Sequence, residues 1–153
     1  PNSALYSNKN QMLYVPTEQY QKIFALDLKK PSTRAQWRNL SNKSLFEREH
    51  AAICMVDDDR FISIIGGGLE KDGGKSKNNE LFALNCNVSI KLSESNESYG
   101  EGAISVYHKR FHKIIVGRPK GMEWYDINKD KWMRLKSFDR GEMWALTISY
   151  EDP

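Results

Sequence analysis

Cysteine is nearly absent from this chain, and the little there is excludes two functions at once. Cys54 and Cys86 are the only pair in 153 residues, too few for a disulfide scaffold, and neither stands in a metal-ligand spacing. Both are expected as buried, reduced thiols. Long apolar runs are missing as well. The most hydrophobic windows, Phe61 to Ile65 and Lys113 to Val116, have the length of a strand and fall far short of a membrane span. Neither sign of charge dominates: 23 Lys and Arg face 20 Asp and Glu for a net charge of +3, and no basic stripe points to nucleic acid. No membrane or nucleic-acid partner is expected. The sequence starts at Pro1 without a signal-like segment and reads as cut from something longer, with a cytoplasmic location as the default expectation. Four sequons, at Asn39, Asn42, Asn87 and Asn96, would matter only in a secreted protein.

One stretch imitates a nucleotide site. "FISIIGGGLEKDGGKSKNNELFAL", Phe61 to Leu84, sets an apolar strand before a glycine-rich loop and Gly-Lys-Ser. A phosphate cradle requires Gly, four residues, then Gly-Lys-Ser/Thr opening a helix, so that successive N–H groups wrap the anion. Counting back from Gly74-Lys75-Ser76, the first glycine should be residue 69, which is Leu69, and the following apolar run is too short for the helix. The reading adopted is two strands joined by a long, exposed, mobile loop over Gly66 to Asn79.

A degenerate repeat organises the rest. "KIFALDLKKPSTRAQWRNL", "NELFALNCNVSIKL" and "GMEWYDINKDKWMRL" each carry an apolar or aromatic run, an Asp or Asn, a turn and a segment closing on Leu40, Leu92 or Leu135. The closing leucines are 52 and 43 residues apart, with the extra length in the glycine-lysine loop. Upstream lie the matching "EREHAAICMVDDDRFISIIGG", "GEGAISVYHKRFHKIIVGR" and "RGEMWALTISY". The pattern predicts four short strands per unit, placed in the middle unit at His50–Val56, Arg60–Ile65, Glu80–Leu84 and Val88–Leu92. "VDDDR" and "YHKRF" are hairpin turns, and "DINKDK" connects the third and fourth strands. A helix from Pro16 through Leu26 competes for the first unit, but the same residues align with strands in the later copies.

Four strands at this period resemble the kelch-repeat β-propellers. Gly66-Gly67 matches the glycine pair that ends the second strand of that family, and Trp37 and Trp132 match the Trp of its fourth strand. The third unit departs with Gly117-Arg118, the first with Val15-Pro16, and the middle unit lacks the Trp. The resemblance implies an all-β fragment of about three four-stranded antiparallel blades, at about 3–40, 47–92 and 100–135, with the start of another at 140–150. A β-sandwich of fortuitous spacing is the alternative fold. Trp37 and Trp132 are expected between or within neighbouring sheets, filling the gap as sheets diverge from an axis. Three blades do not close a ring, so the remaining blades are expected in the same chain or in another one.

No catalytic set, metal or cofactor can be nominated. His108 and His112 in "HKRFH" fall on a hairpin, without the acid that zincins place between them. The EF-hand-like run at Asp126, Asn128 and Asp130 has Lys131 where glycine is needed and Ser137 where glutamate is needed. The resemblance implies instead a protein-binding scaffold whose loops Thr17–Gln21, Leu69–Asn79, Arg118–Gly121, Ser41–Glu47, Ser93–Tyr99 and Lys136–Arg140 share one face. Arg48 and Arg140 would reach the central channel and meet acidic partner residues, or else pair with a neighbouring Asp or Glu. With His50, Tyr99, Arg118 and Trp144 they form the candidate partner-binding set. The alternative function is a propeller enzyme or sugar-binding protein whose active residues lie outside this segment. Millimolar ATP is expected to leave the melting temperature of both the wild type and Lys75→Ala unchanged; a rise in the wild type that the variant loses would restore the phosphate reading.

Overall fold

The computed structural model describes residues 4–17, 22–31, 33–40, 45–118 and 121–135, with Asp72 by its backbone alone. Three four-stranded antiparallel sheets follow one another along the chain. The first holds β1 (Leu5–Ser7), β2 (Met12–Pro16), β3 (Ile23–Asp27) and β4 (Trp37–Asn39). The second holds β5 (Ala52–Val56), β6 (Phe61–Ile65), β8 (Asn79–Ala83) and β9 (Val88–Leu92), and the third β11 (Ile104–His108), β12 (Lys113–Arg118), β13 (Gly121–Asp126) and β14 (Lys131–Leu135). Every four-stranded sheet is a simple meander, each strand paired with the next strand of the same sheet. A two-stranded ribbon of β7 (Lys75–Ser76) and β10 (Tyr99–Gly100) joins the glycine loop to the linker entering the third sheet.

The strands fall within two residues of their predicted places in the middle unit, and the helix competing for residues 16–26 gives way to β3. Alternation explains why. β2 and β3 bury every second side chain, Met12, Tyr14, Ile23 and Ala25, against the second sheet, which a helical period would scatter around a cylinder. Ile53, Ile62, Ile64 and Phe82 complete that first core. The opposite face of the second sheet, through Cys54, Ile65, Leu81 and Leu92, meets Ile114, Val116 and Tyr125 of the third sheet in a second core. The middle sheet is thus apolar on both faces. At about 25 cal/mol per Å² of apolar surface, this two-sided burial is the main force stacking the sheets.

The turns match their chemistry. Asp57, Asp58 and Asp59 all adopt positive φ in the β5–β6 hairpin, a conformation that short polar side chains tolerate. They also stitch neighbouring sheets together: Ser7 Oγ donates to Asp59 Oδ2 at 2.6 Å, and Lys109 Nζ lies 2.5 Å from Asp58 Oδ1. The "YHKRF" turn contains one turn of 3-10 helix at Lys109–Phe111, closed by His112 in the left-handed region.

Three expectations need correction. Cys86 is exposed in the β8–β9 turn, while Cys54 is buried and burial pushes its thiol up to about 11. Trp37 is 51% exposed and covered by no neighbouring sheet among the described residues. Trp132 does pack as expected, with ring centroids 5.0 Å from Tyr125 and 6.5 Å from Tyr99, and its Nε1 donates to Ser93 O at 2.9 Å. Finally, only the tip of the glycine loop is exposed, because Gly66, Gly67 and Gly68 are buried. The segment 140–150, expected to begin another blade, lies outside the described residues.

Gly66 shows what those glycines do. It has φ +66, and a Cβ there would lie 2.4 Å from Tyr99 Cβ and 2.7 Å from Tyr99 O. The glycines admit a neighbouring backbone where a phosphate was first considered. Gly66→Ala is expected to cost about 3 kcal/mol or more in urea unfolding. Gly73→Ala, also at positive φ but with open space around it, is expected to cost only about 1 kcal/mol. Equal costs would contradict the close approach.

Candidate functional site

The segments that link one sheet to the next come to one end of the stack together with the glycine loop, and two buried glutamates hold them there. Glu80 on β8 and Glu123 on β13 each occupy the same place in their sheets, opposite Ile64 and Val116 respectively, and both are fully buried. Glu80 Oε2 accepts from Leu45 N at 3.0 Å, and its Oε1 lies 3.4 Å from Arg48 Nη2. Arg48 Nη1 further donates to Gly66 O at 2.7 Å and Asn78 O at 2.9 Å, and its guanidinium sits 4.9 Å above the Phe46 ring. Glu123 repeats the device with other donors: Asn96 Nδ2 at 2.6 Å, Glu97 N at 3.1 Å and Tyr99 OH at 2.9 Å. Burial, reinforced by this carboxylate, holds the Tyr99 phenol far above its ordinary range.

These contacts settle where the sequence-predicted residues stand. Arg48 and Tyr99 do not line an open channel in the described structure; both are fully buried and serve as internal clamps on the linkers. For Arg48, the neighbouring-acid alternative is the arrangement found. A guanidinium left in that interior without Glu80 and the three carbonyls would carry an uncompensated charge, which is the physical reason it faces inward. Arg118 ends β12 half-buried, its Nη2 3.2 Å from Glu97 Oε2, while Arg134 takes the other oxygen of Glu97 at 2.8 Å. Arg140 and Trp144 lie outside the described residues. Of the described members of the set, His50 alone is exposed, at φ 54.

His50 lines a recess of about 470 Å³ together with Glu49, Gly68, Glu70, Gly73, Gly74, Lys75 and Glu101. Its floor is fixed by close backbone packing: a Cβ on Gly68 would lie 2.8 Å from Lys75 O, and one on Gly100 would lie 2.1 Å from Gly74 O. Its rim carries three carboxylates against one lysine. Among the described residues, none of the three takes a hydrogen bond or ion pair, so their charge is available to a ligand. The recess volume is within the range of small-molecule and side-chain pockets. Sequence reasoning picked out His50 and the loop but missed Glu49, Glu70 and Glu101; the only signals were that Glu49 and Glu101 stand shortly before a strand and that Glu101 is flanked by Gly100 and Gly102.

No catalytic constellation emerges among the described residues. Tyr107 OH and His112 Nδ1 are 3.0 Å apart on the β11–β12 hairpin, but His108 stacks on Phe111 instead of joining them. Among the described residues no group of three or more His, Cys, Asp or Glu is arranged to hold a metal ion.

The fold defines the class: an all-β chain of successively stacked, four-stranded antiparallel meanders. No family model and no curated protein matches the sequence. The solved structure of YjhT is similar over 90% of this chain and 52% of that one, with a TM-score of 0.66 at 14% identity. At that identity the likeness carries the fold alone, and this chain spans about half the length of that protein.

The glutamate clamps predict a specific asymmetry. Glu80→Ala, which leaves Arg48 buried without its carboxylate, is expected to lower the unfolding free energy by about 3–5 kcal/mol. The double change Arg48→Met with Glu80→Leu, which removes both charges, is expected to recover most of that loss. A double variant as unstable as the single one would contradict the clamp.

Proposed function

We propose that this chain is part of a kelch-type β-propeller that works as a protein-binding scaffold. Support for the propeller comes from the succession of meander sheets, each packed face to face on the next, and from the glycine and Trp positions that the sequence shares with that family. Support for binding comes from one observation: the recess at the loop end, where Glu49, Glu70 and Glu101 project from three different segments onto a floor fixed by glycine contacts. Loops on a rigid frame are the usual place for recognition.

The charge of the recess reverses the polarity expected from the arginines. Arg48 is spent inside the fold, and the carboxylates that remain accessible favour a Lys- or Arg-bearing segment of a partner protein. An exposed carboxylate in water gains little from a distant cation, so the partner must seat its basic side chain in the recess itself, where three acids surround it.

Panning a random peptide library against the chain tests this reading. Peptides rich in Lys and Arg are expected to be enriched, and the Glu49→Lys with Glu101→Lys double variant is expected to lose them. Enrichment of acidic peptides, or equal retention by the variant, would contradict it, as would protection of the recess by a monosaccharide panel in place of peptides.

A further inference from the structure

The recess holds a lysine among its acids, and the two signs do not meet. Lys75 lines the same space as Glu49, Glu70 and Glu101. Among the described residues its ammonium makes no ion pair with any of them. Elsewhere on the surface, charges pair off: Arg60 with Asp57, Lys109 with Asp58, and Arg118 and Arg134 with the two oxygens of Glu97. The recess departs from that habit, and its frame gives the reason. Lys75 starts from β7, opposite Gly100 of β10, and its Cγ lies 3.0 Å from where a Cβ on Gly100 would stand. The stem is thereby packed against the ribbon. The acids come from other backbone: Glu49 from the linker before β5, Glu70 from the first position of the 3-10 turn in the glycine loop, and Glu101 from the step between β10 and β11.

Opposite charges held apart in one cavity constrain what fills it. A ligand that brings only a cation meets the three carboxylates but also sets a like charge beside Lys75. A ligand that adds a carboxylate satisfies both signs, and no internal ion pair has to break first. Size then fixes the spacing. A space of about 470 Å³, toward the lower end for ligand pockets, is on the order of 8 Å across, so both ligand groups must fall within that length. In an extended segment, adjacent side chains point to opposite faces, while residues two apart share a face and stand about 7 Å from each other. Residues four apart are about 13 Å from each other and overreach the recess.

We infer that the recess reads a short charge pattern in an extended segment of a partner protein: Lys or Arg against Glu49, Glu70 and Glu101, with Asp or Glu two residues away against Lys75. The inference rests on the reading of this recess as a protein-binding site and adds the pattern that the site selects.

NMR titration of the chain with two peptides of identical composition tests it, read at the amides of Gly73, Gly74 and Glu101. Both peptides are otherwise Gly and Ser; one carries Lys-Ser-Glu, made in either order, and the other holds its glutamate six residues from the lysine. Identical composition removes net charge as a cause of any difference. The close-set peptide, in the better of its two orders, is expected to bind about fivefold or more tighter, the scale of one exposed ion pair of good geometry. Lys75→Met is expected to abolish that preference while both peptides still bind, and Lys75→Glu to take Lys-Ser-Lys over Lys-Ser-Glu. Unchanged strand amides check that both variants fold. Equal affinity of the two peptides for the wild type, or a preference that survives Lys75→Met, overturns the inference and leaves a site for basic segments in place. If no lysine-bearing peptide shifts the recess amides, the inference falls together with that reading.

Discussion

Each linker between sheets turns across one end of the stack, where part of its backbone is withdrawn from water. Buried amides and carbonyls without partners cost about 1–3 kcal/mol each, so the structure depends on something inside the sheet to meet them. Glu80 and Glu123 provide it. A carboxylate on the third strand, facing the preceding sheet, takes the N–H of Leu45 in one linker and of Glu97 in the next. The remaining lone pairs meet Arg48 in one copy and Asn96 and Tyr99 in the other. The device is conserved between units while its donors change.

Fixing the linkers fixes what hangs from them. With Arg48 bonded to Gly66 O and Asn78 O, the start and end of the glycine loop are tied to the same clamp as the linker. The β7–β10 ribbon then lays the loop against Tyr99 and Gly100, and Gly67 N donates to Tyr99 O at 2.8 Å. Glu49, Glu70 and Glu101 therefore sit on segments whose backbones are held from beneath, although their side chains face solvent. A recess built this way keeps its shape without a ligand, which lowers the ordering cost of binding one.

The sequence made the strands legible because their chemistry is local. The apolar runs of the middle unit, with the polar turn "VDDDR" between the first two, placed its strands to within two residues. What it hid was direction. Arg48 and Tyr99 stand in the linkers and their short ribbon and carry functional groups typical of recognition surfaces, and nothing in their neighbours shows that a glutamate far onward in the chain, 24 residues on for Tyr99, waits beneath them. A signal did exist: Glu80 and Glu123 interrupt otherwise apolar third strands at the same place, and a charge there demands a partner. The glycine loop misled for a similar reason. Gly66 to Gly68 read as flexible, but their contact with Tyr99 and Lys75 comes from residues distant in sequence or across the loop. Trp37 and Trp132 are alike in the chain and differ in burial because only Trp132 has a preceding sheet among the described residues.

The claim that buried glutamates anchor the linkers is tested most directly by native-state hydrogen exchange at two amides, Leu45 and Glu97. Both lie outside any strand, so without the anchors they would exchange as loop amides do. The account predicts that both are protected to nearly the same free energy as the central strands β6 and β12, and that Glu123→Ala releases Glu97 while leaving Leu45 protected. Free exchange at both amides in the wild-type chain, with the strands still protected, would contradict it.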